Sequence, residues 1–342
     1  MPNPAIPFRS SLNYIGSKYS LLPFISEHIQ RVVGDTSQKA LAEIFAGTGA
    51  VARYFKPHVK HLIVNDMEPY SYTLLKNYIG GQTDFDYADL IASLDALEGV
   101  DGLIYQHYCV GGGQERQYFS DENGRKIDAI RQKIEAWNVE QCIDENQYYF
   151  LLATLLESAD RVANVASVYG AYLKHLKRTA QRRLKLEPAI SEPTPYTHHV
   201  YKQDANELVG QITGDILYLD PPYNHRQYGA NYHLLNTIAL YDDFEPKGKT
   251  GLRDYQRSVY CQRDKVAPAF EDLIARADFR YIFLSYNNEG LMSVEQVETI
   301  MSKYGQYYLE TQDYQRFKAD RDSNRRHKAS RTQEYLHILI KA

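Results

Sequence analysis

Cysteine is scarce in this sequence. The three cysteines, Cys109, Cys142 and Cys261, lie far apart and are odd in number. They therefore offer neither a disulfide framework nor the close spacing of a cysteine metal site. The adjacent His198 and His199 have no cysteine or acidic cluster beside them, so we expect no metal.

Long apolar runs are also missing. No run of about 18 apolar residues occurs, so we expect no membrane-spanning helix. Residues 1–20 lack the basic-then-apolar pattern of a secretion signal. These absences predict a soluble, cytoplasmic protein.

A large excess of positive charge is absent too. The 342 residues carry a formal net charge of −4, which argues against general binding to polyanions and shifts attention to local concentrations of charge. Tyrosine, by contrast, is abundant at 30 residues. Its aromatic face and polar tip suit a surface that handles bases or sugars, although a compositional habit without function would give the same count.

Strand and helix patterns alternate at both ends of the chain but not in the middle. Residues 81–195 are polar, aromatic and mainly amphipathic-helical. We therefore predict one α/β sheet built from residues 1–80 and 196–342, with a largely helical insertion at 81–195. Strands are predicted at 40–45, 61–65, 199–203, 215–219 and 280–285, and a C-terminal hairpin at 307–311 and 335–341.

A glycine turn follows the first predicted strand. In Phe45-Ala46-Gly47-Thr48-Gly49, the first glycine permits a tight turn and the second permits close approach of a ligand to the backbone. Asp66 ends the next strand, where a carboxylate can accept hydrogen bonds from ribose hydroxyls. The pattern occurs in enzymes that use NAD and in enzymes that use S-adenosylmethionine. The single short glycine turn favours S-adenosylmethionine, because further glycines to embrace a pyrophosphate are missing.

The most informative motif is Asp220-Pro221-Pro222-Tyr223, directly after the apolar run 216–219. The two prolines stiffen the turn at the end of a predicted buried strand, where open α/β sheets bind ligands. A carboxylate and a carbonyl can accept two hydrogen bonds from an exocyclic amine, and the tyrosine ring can stack on a base. An ordinary strand-to-loop turn remains the alternative for this motif alone.

Together the motifs resemble those of the Dam-like, alpha-order group of DNA adenine-N6 methyltransferases. The order of the motifs along the chain carries the resemblance, which spans residues 13–80 and 199–342. The matching segments are Gly16-Ser17-Lys18, Phe45 to Gly49, Asp66, Asp220 to Tyr223, Leu284 to Asn287, and Glu334 to Leu336. One mild departure is Tyr286, which stands where many relatives have Ser-Asn directly.

The resemblance implies a Rossmann-like methyltransferase sheet, S-adenosylmethionine as cofactor and double-stranded DNA as substrate. Asp220 and the Pro221 carbonyl would hold the target amine, while Tyr223 would stack on the flipped adenine. The insertion would recognise the DNA sequence. The cofactor residues would be Tyr14 and Lys18 at the methionine end, Phe45, Gly47 and Gly49 in the cradle, Asp66 at the ribose, Asp204 at the adenine, and Asp220.

Two segments concentrate positive charge. Residues 174–185 contain no acid, and residues 316–331 contain seven Lys or Arg against two Asp. Such segments suit contacts to DNA phosphates, although solvated surface charge is the common alternative. The predicted DNA contacts are Lys174, Lys177, Arg178, Arg182 and Arg183 in the first segment, and Arg316, Lys318, Arg325, Arg326 and Lys328 in the second.

Other functions stay open on the sequence alone. Cytosine-N4 methylation of DNA and adenine-N6 methylation of RNA use similar geometry, but the aspartate at 220 favours DNA adenine. A NAD-dependent dehydrogenase would explain the glycine turn only, and a non-catalytic DNA-binding protein would explain the basic segments only. A role in restriction-modification, with a cognate restriction endonuclease as partner, is compatible with the resemblance.

Overall fold

Apolar segments from both ends of the chain form a single sheet. The computed structural model describes Leu12, residues 14–315 and residues 331–342. The strands within these residues are β1 (Ala40–Glu43), β2 (His61–Asn65), β3 (His199–Tyr201), β4 (Thr213–Leu219), β5 (Asp278–Asn287), β6 (Gly305–Gln315) and β7 (Arg331–Lys341). Their order across the sheet is β3-β2-β1-β4-β5-β7-β6.

The sheet is parallel except at one strand. Strands β1 to β5 pair in parallel, whereas β7 runs antiparallel to both of its neighbours, β5 and β6. The predicted Rossmann-like sheet with a C-terminal antiparallel hairpin is confirmed. After β1 the chain builds outward to β2 and β3, and then returns to place β4 on the other side of β1. Ligands bind at such a reversal of strand order, at the carboxyl ends of the strands.

Helices cover both faces of the sheet. In the described part of the chain, no helix is both long and apolar enough to cross a membrane. The α-helices are α1 (Leu22–Val33), α2 (Ala50–Phe55), α3 (Pro69–Leu75), α4 (Ala88–Asp95), α5 (Leu103–Tyr108), α6 (Asp121–Val139), α7 (Glu145–Val162), α8 (Ala205–Val209), α9 (Tyr228–Asn231), α10 (His233–Leu240), α11 (Val266–Arg276) and α12 (Val294–Met301).

The region predicted as a helical insertion has two unlike parts. Helices α4 to α7 occupy the longer, first part, and the two longest of them begin at side-chain caps on Ser120 and Asp144. Residues 163–198 form neither helix nor strand. At the beginning of this stretch the Asn164 amide donates to the Gln117 and Leu173 carbonyls in place of a regular ladder, and prolines interrupt its end.

Two apolar cores lie on opposite faces of the sheet. Along β4 the side chains alternate, so that Tyr218 joins one core while Leu217 and Leu219 join the other. The first core also contains buried residues of α1, α6, α7 and α10, and the second contains those of α8, α11 and α12. The insertion therefore shares a continuous core with the sheet.

One buried lysine joins the two ends of the insertion. Lys56, directly after α2, donates to the Tyr78 carbonyl at 2.8 Å and to the Glu192 carbonyl at 2.8 Å. It also bonds the Gly81 carbonyl and the Ser191 hydroxyl at 3.2 and 3.0 Å. Burial lowers the pKa of Lys56 to about 8. The chain thus enters and leaves the insertion within reach of the same ammonium group.

Candidate active site

The turn after β1 brings the glycine motif to the edge of the sheet. Gly47 and Gly49 have φ angles of 53° and 75°, in the left-handed region that favours glycine. A Cβ at Gly47 would lie 2.8 Å from the Tyr14 hydroxyl, and one at Gly49 would lie 2.9 Å from Leu75. Gly47 lines the pocket described below and Gly49 does not. Backbone conformation and packing against Leu75 therefore account for the glycine at 49.

Asp66 lies beside this turn, directly after β2. Its Oδ2 accepts a hydrogen bond from the Gly47 N–H at 2.7 Å, and its Oδ1 accepts one from the Glu68 N–H at 2.9 Å. Burial raises the pKa of Asp66 to about 6 in spite of these bonds. Each carboxylate oxygen can accept more than one hydrogen bond, so the fixed group can still accept bonds from a ligand.

Two polar residues that sequence reasoning missed hold the strand ends in place. The Asn65 amide donates to the Ile44 and Gln203 carbonyls at 3.0 and 3.1 Å, which ties the ends of β1, β2 and β3 together. The buried Glu43 accepts from the Ala52 N–H at 2.7 Å, and so satisfies an amide in the first turn of α2. A polar residue at the end of an apolar strand was the available signal for both.

Asp204 and an aromatic pair form the opposite wall. Asp204 caps α8, where its Oδ1 accepts from the Asn206 N–H at 2.9 Å and the Glu207 N–H at 3.2 Å. Phe45 and Tyr260 meet edge to face, with centroids 4.9 Å apart and planes at 74°. This wall presents a carboxylate beside aromatic surface, a combination that suits a purine.

Residues 14–18, which we call the strap, close the pocket from the N-terminal side. The Lys18 ammonium lies 2.8 Å from Asp220 Oδ1 and 3.3 Å from the Gly16 carbonyl. Its side chain is only 7% exposed. Burial alone would lower the pKa of Lys18, but the carboxylates of Asp220 and Glu334 raise it above its usual value. Lys18 therefore remains a cation beside Asp220.

The Asp220–Gln227 loop leaves the carboxyl end of β4. Asp220 keeps 18% side-chain exposure, and burial raises its pKa while Lys18 partly offsets the shift. Tyr223 meets Tyr286 edge to face at 6.2 Å, and the Lys18 ammonium lies 5.9 Å from the Tyr223 ring centroid. The buried Tyr286 also accepts from the Met292 N–H at 3.3 Å, so it forms a firm support behind the Tyr223 ring.

These elements surround one pocket with a cavity volume of about 180 Å³, open to solvent at its mouth. Of the predicted site residues, the lining includes Tyr14, Lys18, Phe45, Gly47, Asp66, Asp204, Asp220 and Pro222. Gly49, Pro221 and Tyr223 lie outside the lining. The structure thus brings residues from five separate sequence segments to the point where the strand order reverses.

The lining is acidic. Five acidic side chains face two cations, Lys18 and Arg257; Lys18 is paired with Asp220, and burial raises the pKa of Glu43 well above its usual value. The acidic side chains are Glu43, Asp66, Glu68, Asp204 and Asp220. Such a site suits a cationic ligand and disfavours the two negative charges of a dinucleotide pyrophosphate.

A comparison with known families identifies the family of this chain. The model of the D12 class N6 adenine-specific DNA methyltransferases matches residues 14–300. The chain belongs to this family. The family resemblance found in the sequence is confirmed, and the dehydrogenase, cytosine-N4 and RNA alternatives give way to methylation of adenine N6 in DNA.

The methyltransferase has relatives along nearly its whole length. It is 60% identical over 332 residues to the type II methyltransferase M.NlaIII of Neisseria lactamica, with 96% of this chain and 99% of that protein covered. It is 36% identical to M.CviAII of Paramecium bursaria Chlorella virus 1, covering 90% and 93%. M.FokI of Planomicrobium okeanokoites is 38% identical, and there the chain covers 53% of the longer protein.

S-adenosylmethionine is the methyl donor of the methyltransferase, and the pocket fits it. The sulfonium is a cation, which the acidic lining favours. The glycine turn, the carboxylate at the end of β2 and the aromatic wall supply the parts that a nucleoside with an amino-acid tail needs. No group of three or more His, Cys, Asp or Glu in the described ranges is arranged to hold a metal ion.

Several lining residues of the methyltransferase were not predicted. Glu68 accepts from the Asn236 amide at 2.6 Å, and burial raises its pKa to about 7. Tyr228 and residues 256–260 also line the pocket. The segment 256–260 belongs to a connection without strong periodicity, so no local pattern pointed to it.

The first basic segment lies at the surface, but some of its side chains already have partners in the protein. Lys174, Arg178 and Arg182 are exposed at the surface. Lys177 is half-buried and donates to the Val165 carbonyl at 2.7 Å, and Arg183 pairs with Glu122. The second set of predicted contacts lies outside the described residues; it comprises Arg316, Lys318, Arg325, Arg326 and Lys328.

Proposed function

We propose that this methyltransferase is site-specific and modifies adenines in duplex DNA through the Asp220 loop. The observation that carries the proposal is the contact between Asp220 and Lys18 at 2.8 Å, in the same pocket as the glycine turn. A charged acceptor for an amine and a cradle for the methyl donor then lie side by side, which is what direct transfer between them requires.

The cofactor end of the pocket would hold the nucleoside. Gly47 lets the ligand approach the backbone, and Asp66 accepts hydrogen bonds from the ribose hydroxyls. Asp204 accepts from the adenine amine while Phe45 covers its ring. The ends of β1, β2 and β3 are tied together by Asn65, so these groups are held at fixed separations.

The other end would hold the target base. The N6 lone pair of adenine is delocalised into the ring, so the free amine is a poor nucleophile. Hydrogen bonds from N6 to Asp220 and to the Pro221 carbonyl favour a pyramidal nitrogen and stabilise the positive charge that develops on it. S-adenosylmethionine supplies the electrophilic methyl group. The methylated nitrogen then loses a proton, which needs no strong base.

Lys18 keeps this acceptor charged. Burial raises the pKa of Asp220, which would favour the neutral acid, and the adjacent ammonium opposes the shift. Tyr223 would stack on the target base after it leaves the duplex. Base flipping costs a few kcal/mol, and stacking on an aromatic side chain returns about 1–3 kcal/mol.

The insertion at 81–195 would contact the DNA around the target. Lys174, Arg178 and Arg182 are exposed, and we infer that they are the better phosphate contacts of the first segment. Lys177 and Arg183 already have partners in the protein. A DNA substrate would place the enzyme in the cytoplasm.

A role in restriction-modification follows from the relatives. Two of them are named type II methyltransferases and align over nearly their full length. We infer that this enzyme likewise protects DNA against a cognate restriction endonuclease of the same specificity.

The test uses unmethylated bacterial DNA and S-adenosylmethionine labelled on its methyl group. We expect label in N6-methyldeoxyadenosine after digestion to nucleosides, and sequencing of the product should find it at one short sequence. Asp220→Ala is the matched negative control. Label in N4-methyldeoxycytidine would contradict the substrate, and label at adenines without a common sequence would contradict site specificity.

A further inference from the structure

Two tyrosines hold the backbone of the strap at a single residue. The Ile15 N–H donates to the Tyr232 hydroxyl at 2.8 Å, and the Tyr228 hydroxyl donates to the Ile15 carbonyl at 3.2 Å. Tyr228 begins α9 and Tyr232 follows it, with their rings stacked at 6.1 Å and 20°. Both backbone polar groups of Ile15 are therefore satisfied by one helical turn.

The strap also packs closely against these two rings. The Tyr14 ring stacks on Tyr232 with centroids 5.0 Å apart, and its centroid lies 5.6 Å from that of Tyr228. Gly16 has a φ of 84°, and a Cβ there would lie 2.8 Å from the Tyr228 hydroxyl. Three consecutive strap residues thus depend on the same tyrosine pair for their position.

Two side chains of the strap, those of Lys18 and Tyr14, face the proposed reaction site. Lys18 reaches Asp220 at 2.8 Å, and its ammonium also bonds the Gly16 carbonyl of the strap. Tyr14 lies over Gly47 of the cofactor turn, so closely that a Cβ at 47 would meet its hydroxyl. A small displacement of the strap would therefore change both ends of the pocket.

We propose that Tyr228 and Tyr232 are positioning residues, which hold the strap so that Lys18 reaches Asp220 and Tyr14 closes over Gly47. The proposal rests on the roles assigned above to Lys18 and Asp220. Because α9 follows directly on the Asp220–Gln227 loop, one short stretch of chain supplies the target-amine acceptor and the anchor for its counter-ion.

Tyr228→Phe and Tyr232→Phe remove the two hydroxyls and keep the rings. We expect each variant to lower the single-turnover rate of methyl transfer on the order of tenfold at saturating DNA and cofactor, because a misplaced reacting group slows transfer strongly. Tyr118→Phe is the matched control, since its buried hydroxyl donates to the Tyr169 carbonyl at 2.7 Å and has no strap contact. The control should transfer at the wild-type rate.

A double-mutant cycle separates positioning from a general loss of stability. If Tyr232 acts through Lys18, then Tyr232→Phe should change the rate less than about twofold in a Lys18→Met background. An equal loss in both backgrounds would overturn the positioning of Lys18 by Tyr232. So would a lower melting temperature of Tyr228→Phe and Tyr232→Phe with an unchanged transfer rate, which marks a purely structural role.

The wild-type enzyme distinguishes this inference from the proposed function. If wild type and Tyr118→Phe both methylate adenine and the two strap variants match them, only the positioning roles fail. If wild type itself transfers no methyl group to DNA adenine, the proposed function fails first.

Discussion

Two carboxylates of the pocket are both partly buried at the end of a strand, but different groups hold them in place. Asp66 follows β2 and Asp220 follows β4, and burial raises the pKa of both groups. Asp66 is held by two backbone amides, those of Gly47 and Glu68. Asp220 is held by the ammonium of Lys18.

Hydrogen bonds from the backbone therefore hold Asp66 in position, which we call geometric support. The charge of Lys18 holds Asp220, which we call electrostatic support. Backbone amides fix Asp66 locally, and its pKa of about 6 leaves it able to titrate near neutral pH. Asp220 is paired with a lysine from a remote part of the chain, so the pairing of charges there depends on the position of the strap. The position of Asp66 therefore depends mainly on local turns, and the pairing of Asp220 depends on tertiary structure.

The largest effect is expected from Asp220→Ala. Removing the acceptor should lower single-turnover methyl transfer by about a thousandfold or more, because the charge that develops on N6 loses its stabilisation. Binding of S-adenosylmethionine, measured by calorimetry, should change only a few-fold. Methyl transfer close to wild type would remove Asp220 from the mechanism.

Lys18→Met tests the electrostatic support directly. Without the ammonium, the buried carboxyl of Asp220 should have a still higher pKa and stay neutral up to higher pH values. We expect transfer at pH 7 to fall on the order of 100-fold and to recover as the pH is raised, because the carboxylate then forms again. Lys18→Arg keeps the charge and serves as the control. A pH–rate profile parallel to that of wild type would refute electrostatic support.

Asp66→Asn tests the geometric support. The amide can accept from only one side, so one of the two backbone N–H groups loses its partner, and cofactor affinity should fall on the order of tenfold. Wild-type affinity should itself fall as the pH drops through about 6, because protonated Asp66 is the poorer acceptor. The variant should lack this dependence. Glu68→Gln is the control, since burial raises the pKa of Glu68 to about 7 in the same pocket.

Tyr223 tests the stacking contribution to DNA binding and not the support of either carboxylate. Tyr223→Ala should raise the KM for DNA by roughly five- to a hundredfold through loss of about 1–3 kcal/mol of stacking, while cofactor affinity stays constant. Tyr223→Phe keeps the ring against Tyr286 and should stay close to wild type. Equal losses in both variants would assign the effect to the hydroxyl instead of stacking.

Much of the sheet could be predicted from the sequence because strands and turns leave local signals. Apolar runs marked β1, β2, β4 and β5, and the glycine and proline turns marked the ends of β1 and β4. Residues 163–198 were harder, because a segment held by side-chain bonds such as those of Asn164 has no periodicity. Their lack of helix appears only in the folded chain.

The contacts of the site likewise differ in whether local sequence predicts them. Gly47 and Asp66 follow the neighbouring parallel strands β1 and β2 of one β1–α2–β2 unit, so their proximity follows from local structure. The contacts of Ile15 with Tyr228 and Tyr232 join segments separated by more than 200 residues, and nothing in either segment alone indicates the other. The abundance of tyrosine was visible, but its use as a backbone clamp depends on tertiary packing.

The contacts of Lys56 make residues 81–195 a segment that another sequence could replace. Its ammonium bonds the Tyr78 carbonyl, where the chain departs, and the Glu192 carbonyl, where it returns. Two chain ends that meet at one side chain can be joined to a different intervening sequence, provided that it fills the core that α6 and α7 share with the sheet. In a hybrid enzyme that keeps Lys56 and its two carbonyl contacts, the crossover points would be defined to within a few residues.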